Sequence, residues 1–569
     1  MDHPVKYPSI VRPLAFLKFR LPHLLPDFWT IAILTIALLI ATPLFFILSS
    51  LFADSREVWH HLATTVLPGY ILNSIWLMVG VGVGTLVLGT GTAWFVTMTR
   101  FPGRWLFEWA LLLPLAAPAY LLAYTYTELL EFYGPVQTSL REVFGWTSVQ
   151  DYWFPNIRSV GGAIVMLTLV LYPYVYLLAR SAFLSQSACT LEACRNLGCT
   201  PWRSFWTVAL PLARPAMMAG LALVLMETLN DYGTVQHFAV DTFTTGIYRT
   251  WFGMGERAAA EQLAALLMLF VLSLILVERW SRHQAQYYQT NNRFQRPAGY
   301  HLGGFASLGA IVACTLPVAF GFLIPGGALL QMALGDMQQT LASRFWGFAT
   351  NSLILSGITA LLAVVIALLM AYGLRLRPHF WMRFSSQVAA MGYAIPGSVI
   401  AVSILIPVGK LDNGLDRWMQ DHFNVSTGLL LSGTIVALIL AYLIRFLAVS
   451  FSTVDASLTK IRPNLDDAAR SLGHSPMSTL FRVHAPMMGG GLLTAVLLVF
   501  VDVMKELPAT LIIRPFNFET LAVRVYQLAS DERLVEAAAP ALAIVVVGLI
   551  PVLLLSWQIS QTSVQEKGS

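Results

Sequence analysis

The sequence predicts an all-α polytopic membrane protein of about twelve transmembrane helices, arranged as two homologous six-helix halves. Three observations carry this. Of the 569 residues, 57% are hydrophobic and only 11% charged, whereas a soluble domain is nearer a quarter charged. Uncharged windows recur along the chain, each near or beyond the roughly 20 residues that span hydrocarbon as a helix. Finally, the same short motifs return at a spacing of 278 residues.

In chain order the windows are 28–53, 70–99, 109–127, 160–179, one beginning near Pro215, 262–277, 305–330, 345–374, 384–409, 422–444, one beginning near Val483, and 538–560. They lack period-two alternation, so they read as helices and not as barrel strands. The first is too long for a cleavable leader and reads as the first span. Basic residues fall on one side: one set of loops, with Arg100, Arg180, Arg375 and Arg445 assigned to it, holds 23 of the 35 basic residues and nine of the 30 acids. Short cytoplasmic loops carry such an excess, which places both termini in the cytoplasm and makes the net charge of +5 a topology signal with no nucleic acid implied. Cys189, Cys194 and Cys199 fall in one of these loops, at five-residue steps that scatter them around a helix instead of gathering them for a metal.

The repeat aligns Asn73-Ser74 with Asn351-Ser352 and Pro118 with Pro396, and then, past a three-residue length change, Gly198 with Gly473 and Pro211 with Pro486 at an offset of 275. An even number of spans gives both copies one orientation, related by a pseudo-two-fold axis along the membrane normal. The expected units are 1–278 and 300–569, joined by a basic, polar linker at 279–299.

One long loop in each copy carries the most specific signal, "LEACRNLGCTPWRSFWTVALPLARPAM" and "LDDAARSLGHSPMSTLFRVHAPMMGGG". Each predicts a short amphipathic helix ended by Gly, with Pro211 or Pro486 starting the next transmembrane helix in its first turn. These loops resemble the EAA motifs of the membrane subunits of bacterial ABC importers, with Cys194 in place of the second Ala, Asp467 in place of Glu, and Ala485 in place of Leu before Pro486. The chain looks like two such subunits fused. The resemblance implies a type I importer fold, MetI-like, in which Glu192, Ala193 and Gly198, and Asp467, Ala468 and Gly473, pass the motion of two cytoplasmic ATP-binding subunits to the membrane. The sequence has no GxxxxGK[ST] phosphate loop. The chain is therefore expected to bind no cofactor and perform no catalysis, ATP and magnesium belonging to the partner.

Carboxylates sit deep in the apolar runs. Glu227 and Asp231 of "METLNDYGTVQHF" align at 275 with Asp502 and Glu506 of "VDVMKELPATL", and Lys505 faces Asn230. Spaced i, i+4, each pair is expected on one helix face, and the cost of ionised groups in lipid directs all four toward an interior or watery cavity. Two readings stay open. The acids cap broken helices, with Lys505 neutralising a neighbour, or they contact a hard cation in transit. The segments that follow, with Phe243, Thr245 and Arg249 aligned to Phe518, Thr520 and Arg524, are expected on the periplasmic side, where a substrate-binding protein would dock. "DTFTTGIYRTW" and "KELPATLIIRPFNFETLAVRVY" resemble ferric-iron importer permeases; thiamine, phosphonate and polyamine permeases share the architecture, and a gradient-driven secondary transporter is the rival of another class. Tyr120, Tyr124, Tyr126 and Tyr133 are expected in an interfacial aromatic belt.

Overall fold

The computed structural model describes residues 28–52, 56–186, 194, 196–283, 299–335 and 343–565. Glu192, Ala193, Cys189 and most of the 279–299 linker lie outside them. Among the described residues ten helices are long and apolar enough to cross a membrane, or twelve if two bent pairs each count as one span.

The bends have local causes. The window at 109–127 is not one helix: Arg104–Ala110, a 3-10 turn Leu113–Ala116 and the helix Ala119–Leu130 meet at an 89° angle. Ala117 is extended (φ −105°, ψ 128°) because the ring of Pro118 disfavours helical geometry in the residue before it. The window at 384–409 breaks the same way, where extended Ile395 precedes Pro396 and a helix starts at Gly397. The helix expected at 422–444 instead runs Ile435–Leu458, because Asp412 and Asp416 accept hydrogen bonds from Thr427, Gly428, Leu431 and Ser432 and hold that stretch as a connection.

Pro211 and Pro486 fall in the first turn of the α-helical segments Leu210–Asn230 and Ala485–Met487, as expected, but these segments continue helical structure already under way. Helix starts ten residues earlier, at Pro201 and Pro476, capped by the Thr200 and Ser475 hydroxyls, and passes through a π-helical turn at Phe205–Ala209 and Leu480–His484. A proline lacks the N–H and crowds the carbonyl four residues back, and the wider turn absorbs it. In the second copy the helix then bends by 81° between Met487 and Gly489, entering the run Gly489-Gly490-Gly491, where helix propensity is poorest. In the first copy it runs unbroken from Pro201 to Asn230.

The two copies fold alike down to single hydrogen bonds. The Asn73 amide donates to the Asp241 carbonyl (2.9 Å) and the Asn351 amide to the Glu519 carbonyl (3.1 Å). Arg249 reaches the Asp241 carboxylate as Gln527 reaches Glu519. These pairs keep the 278 spacing, so Asp241 and Thr242 correspond to Glu519 and Thr520. The alignment of Phe243, Thr245 and Arg249 with Phe518, Thr520 and Arg524 is thus three residues out of register. The second copy carries three extra residues between Ile513 and Glu519, which close the earlier length change.

The copies are interlocked. The first helix, Phe28–Ser49, packs on the second copy, with Trp29 edge-on to Tyr372 and Ile33 over Gly373. The first helix of the second copy, Gly304–Val318 and its π-helical extension, leans on the first copy, where Tyr126 donates to the Phe320 carbonyl (2.6 Å). Tyr300-His301 also pair with Thr99-Arg100. Tyr120, Tyr124 and Tyr126 are buried in this packing and form no lipid-facing belt; Tyr133 alone of the four is exposed.

Asn73→Ala and Asn351→Ala should each lower the stability of the purified chain by about 1 kcal/mol, the usual worth of one hydrogen bond, and the double variant by their sum. Thermal unfolding in detergent reads this; one substitution without effect would contradict the matched roles.

Candidate functional sites

Two places gather the candidate residues. The first is the pair of loop elbows. The short helix Asn464–Ser471 ends at Gly473 with the His474 N–H on the Ala469 carbonyl, and the Cys199 N–H bonds the Cys194 carbonyl in the same way around Gly198. Both glycines take φ +80° with open space at their Cβ positions, a left-handed C-cap that glycine adopts without strain. Cys194, the departure from the Ala pattern, fills the buried position that Ala469 holds in the second copy. Asp467 and Ala468 are exposed, with Asp467 paired to Arg470. Sequence reasoning missed two features. Leu197 and Leu472, each preceding its glycine, are 84% and 79% exposed and present an apolar knob at each elbow; the signal was a leucine before Gly in both copies. The second elbow is also anchored by Asp466, which accepts from Arg375 Nη2 (2.6 Å) and lies 2.7 Å from His484 Nε2. Burial raises the Asp466 carboxyl, but the bonds from Arg375 and His484 outweigh it and hold it below the usual carboxylate range. The aligned first-copy positions are Thr97, Leu191 and Ala209, so this anchor belongs to one elbow only.

The second place is a cavity of about 120 Å³ between the copies, lined by Glu227, Asp231, Asp502, Lys505 and Glu506 together with Arg445. It has room for several waters or a partly hydrated ion. The carboxylates of each copy do not share one helix face. The helix Leu210–Asn230 ends before Asp231, and Gly489–Met504 ends before Lys505 and Glu506. Asp231 and Glu506 instead cap the short helices that follow, Gly233–His237 and Pro508–Ile513. Asp231 accepts from the Thr234 and Val235 N–H groups and the Thr234 hydroxyl; Glu506 accepts from the Ala509 and Thr510 N–H groups and the Thr510 hydroxyl. Donors at a helix N-terminus satisfy a carboxylate well, which accounts for two of the four acids.

Glu506 also holds a cation that the sequence reading misplaced. Arg445 lies inside the helix Ile435–Leu458, 6% exposed, and not in a loop. Its Nη1 is 3.2 Å from Glu506 Oε1 and 3.2 Å from the Asn230 side-chain carbonyl of the other copy. Asn230 also accepts from the Gly397 N–H (2.8 Å). A Cβ at Gly397 would lie within 2.5 Å of both Arg445 and Glu506, so only glycine lets that helix start there. The cavity thus contains two cations beside four acids, not one. A lone arginine in "LAYLIRFLAV" was a visible flag for such a pair.

Glu227 and Asp502 remain. Asp502 Oδ1 is 3.1 Å from Lys505 Nζ, and Glu227 has no hydrogen-bond or ion-pair partner among the described residues. Tyr174 and Tyr393, one from each copy, line the cavity beside them and contact each other. On another side, Tyr232 stacks on Tyr248 (3.8 Å) and shares a hydroxyl contact with Tyr526 (3.1 Å), joining the copies. Among the described residues no three His, Cys, Asp or Glu side chains form a ready-made metal site.

Comparison with known proteins matches residues 85–286 to the binding-protein-dependent transport system inner membrane component family. The chain is 28% identical to the "Fe(3+)-transport system permease protein FbpB 2" of Haemophilus influenzae, over 93% of this chain and 98% of that protein. Over residues 85–286 the chain is similar to this permease family. A ferric transport permease of Actinobacillus pleuropneumoniae is 23% identical over 94% of the permease and 78% of its own length. The molybdenum permease ModB of Escherichia coli matches only 34% of it but 85% of its own length, as expected where one chain carries two permease units. With its apolar helices, the permease is a multi-pass inner-membrane protein.

Glu506→Gln should destabilise the permease by about 3–5 kcal/mol, since it strands Arg445 in a buried site; Glu227→Gln should leave the thermal midpoint unchanged. Equal midpoints would contradict the division drawn between these acids. At the elbow, a carboxyl held low in the folded state contributes stability above its unfolded value and loses it as pH falls through the lowered one. Hydrogen-exchange protection of residues 464–473 should therefore persist from neutral to mildly acidic pH, fall only in stronger acid, and be reduced at neutral pH in Asp466→Asn.

Proposed function

We propose that the permease is the membrane subunit of an ATP-binding cassette importer that carries ferric iron from a periplasmic binding protein to the cytoplasm. The observation that carries the ATP-driven reading is the duplicated elbow: an exposed leucine and a glycine at φ +80° at matching places in both copies, preceded in the second by the short helix Asn464–Ser471. Two copies of a cytoplasmic ATP-binding subunit would each receive one elbow, with Gly198 and Gly473 fixing the turn and Glu192, Ala193, Asp467 and Ala468 forming the rest of the contact. Both termini then lie in the cytoplasm, the permease units are 1–278 and 300–569, and the chain itself binds no ATP. Closure of the ATPase dimer would draw the elbows together and rock the two copies about their shared cavity.

Iron as cargo rests on the relatives named as ferric permeases and on the chemistry of the cavity. Carboxylate and hydroxyl oxygens suit a hard cation. The acids there that cap no helix, Glu227 and Asp502, come one from each copy, so rocking the copies would change their separation and with it their hold on an ion. The capping roles of Asp231 and Glu506 leave Glu227, Asp502 and Lys505 as the side chains that meet cargo.

Reconstitution in liposomes with the cognate ATPase and an iron-loaded binding protein tests this. Iron uptake should require ATP and all components; robust uptake by the permease alone down an ion gradient would overturn the importer reading. Replacing both Gly198 and Gly473 by Val should abolish uptake, since a β-branched residue at φ +80° is strained. Undiminished uptake would remove the elbows from the mechanism.

A further inference from the structure

Lys505 breaks the symmetry of the cavity. Its aligned residue, Asn230, is held at its side-chain carbonyl, which accepts from Arg445 and from the Gly397 N–H. Lys505 is held far more loosely: its ammonium has one ion-pair partner among the described residues, Asp502 at 3.1 Å. It stands within electrostatic reach of Glu227 and Tyr174, and about a quarter of its side chain is exposed. An ammonium has three donors on a flexible four-carbon stem, so a single contact leaves it free to swing. The other cation, Arg445, is 6% exposed and pinned between Glu506 and Asn230.

A second observation marks the cavity as a place for a ligand. Tyr120 lines it, is 5% exposed, and its hydroxyl has no hydrogen-bond partner among the described residues. A buried hydroxyl left unpaired costs on the order of 1–3 kcal/mol, which an occupant offering a bound water or an oxygen ligand would relieve. Around the same space stand two carboxylates not used as helix caps, Glu227 and Asp502, and the facing hydroxyl groups of Tyr174 and Tyr393. The charged groups facing Lys505 from every packed element are Glu227, Asp231, Asp502, Glu506 and Arg445.

We propose that Lys505 is a tethered stand-in for the transported cation: it occupies the Asp502–Glu227 carboxylates when the cavity is empty, yields them to a hard multivalent cation, and by returning displaces that cation toward the exit. This rests on reading the cavity as the cation pathway. Carboxylates at membrane depth with no counter-charge are costly, so an empty site made only of acids would either stay protonated or grip its first ion too well. A cation on the chain's own stem removes both problems. It keeps the acids ionised between cycles and lowers the affinity for cargo by competition, which a carrier needs in order to release. Arg445 cannot do this, because it is held between Glu506 and Asn230, and leaving them would strand Glu506 in a buried site and break the bond between the copies.

The test uses the full-length permease in lipid nanodiscs with terbium(III) as the probe, a hard trivalent ion whose luminescence is sensitised by nearby tyrosine. Lys505→Met should bind terbium at least about tenfold more tightly than wild type, equivalent to about 1.4 kcal/mol, and release it more slowly into excess chelator. Lys505→Arg, which keeps a tethered charge, should stay close to wild type, and Asp502→Asn with Lys505→Met should lose the gain. Lys505→Gln is measured beside Lys505→Met, so that a variant that misassembles does not decide the result. Equal or weaker terbium binding by both neutral variants would overturn the proposal. Iron uptake by the wild-type complex separates this from the transport reading: uptake with unchanged terbium affinity in the variants removes the lysine from the mechanism and leaves the function, whereas tightened terbium binding without iron uptake keeps the competition and rejects iron as the cargo.

Discussion

The contact between Glu506, Arg445 and Asn230 is the constraint around which the permease is built. It lies where two copies of one fold meet, and it joins a buried charge pair of the second copy to an asparagine of the first. Removing water from two ions is expensive, so such a pair persists only where other bonds use up its remaining donors and acceptors. Here they do. Glu506 caps the helix Pro508–Ile513, Asn230 crosses from the other copy to receive Arg445, and the same Asn230 oxygen receives the first N–H of the helix beginning at Gly397. Asp231 repeats the capping role in the first copy. Broken helices can exist at this depth because the starts of Gly233–His237, Gly397–Phe423 and Pro508–Ile513 face a carboxylate or an amide of the chain itself.

From that constraint follows the separation of roles within the cavity. Four acids aligned by the repeat look equivalent in the sequence, but the helix ends divide them. The later acid of each pair falls past its helix and is consumed by the next one. The earlier acids, Glu227 and Asp502, stay on the last turn of the long helices and keep oxygens in hand. Helix capping and the proposed contact with cargo thus fall to neighbouring residues of one motif, and the elbows beyond the other ends of the same helices are where, in the proposed importer, an ATPase would act on them. The elbows are not identical. One is anchored by Arg375, Asp466 and His484; at the aligned place in the first copy, Trp94 meets Phe183 and Phe205 edge-on.

Much of this was legible in the sequence because lipid leaves few choices. Apolar windows, the basic loops and the 278-residue echo were enough to expect a duplicated helical membrane protein, and the glycines at 198 and 473 announced their own turns. What remained hidden depended on where helices break. The window at 422–444 ended one residue short of Arg445, so a span residue was counted with the loops. Prolines 118 and 396 were matched as repeat partners, yet hydropathy alone carries no record of the bend each imposes. The register slip after Asp231 had a similar origin: the three extra residues lie in the short stretch before Glu519, and the matched bonds of Asn73 and Asn351 and of Arg249 and Gln527 locate them. The tyrosines at 120, 124 and 126 were read as a belt because aromatic residues near a span's end usually are one; interlocking of the copies buries them instead.

The division between capping and cargo-facing acids is tested most directly by ATP-driven iron uptake in the assembled complex carrying Glu227→Gln together with Asp502→Asn. The account requires uptake slower by at least about tenfold, with ATPase assembly unchanged and the thermal midpoint lowered far less than in Glu506→Gln. Uptake at the wild-type rate in that variant would contradict it.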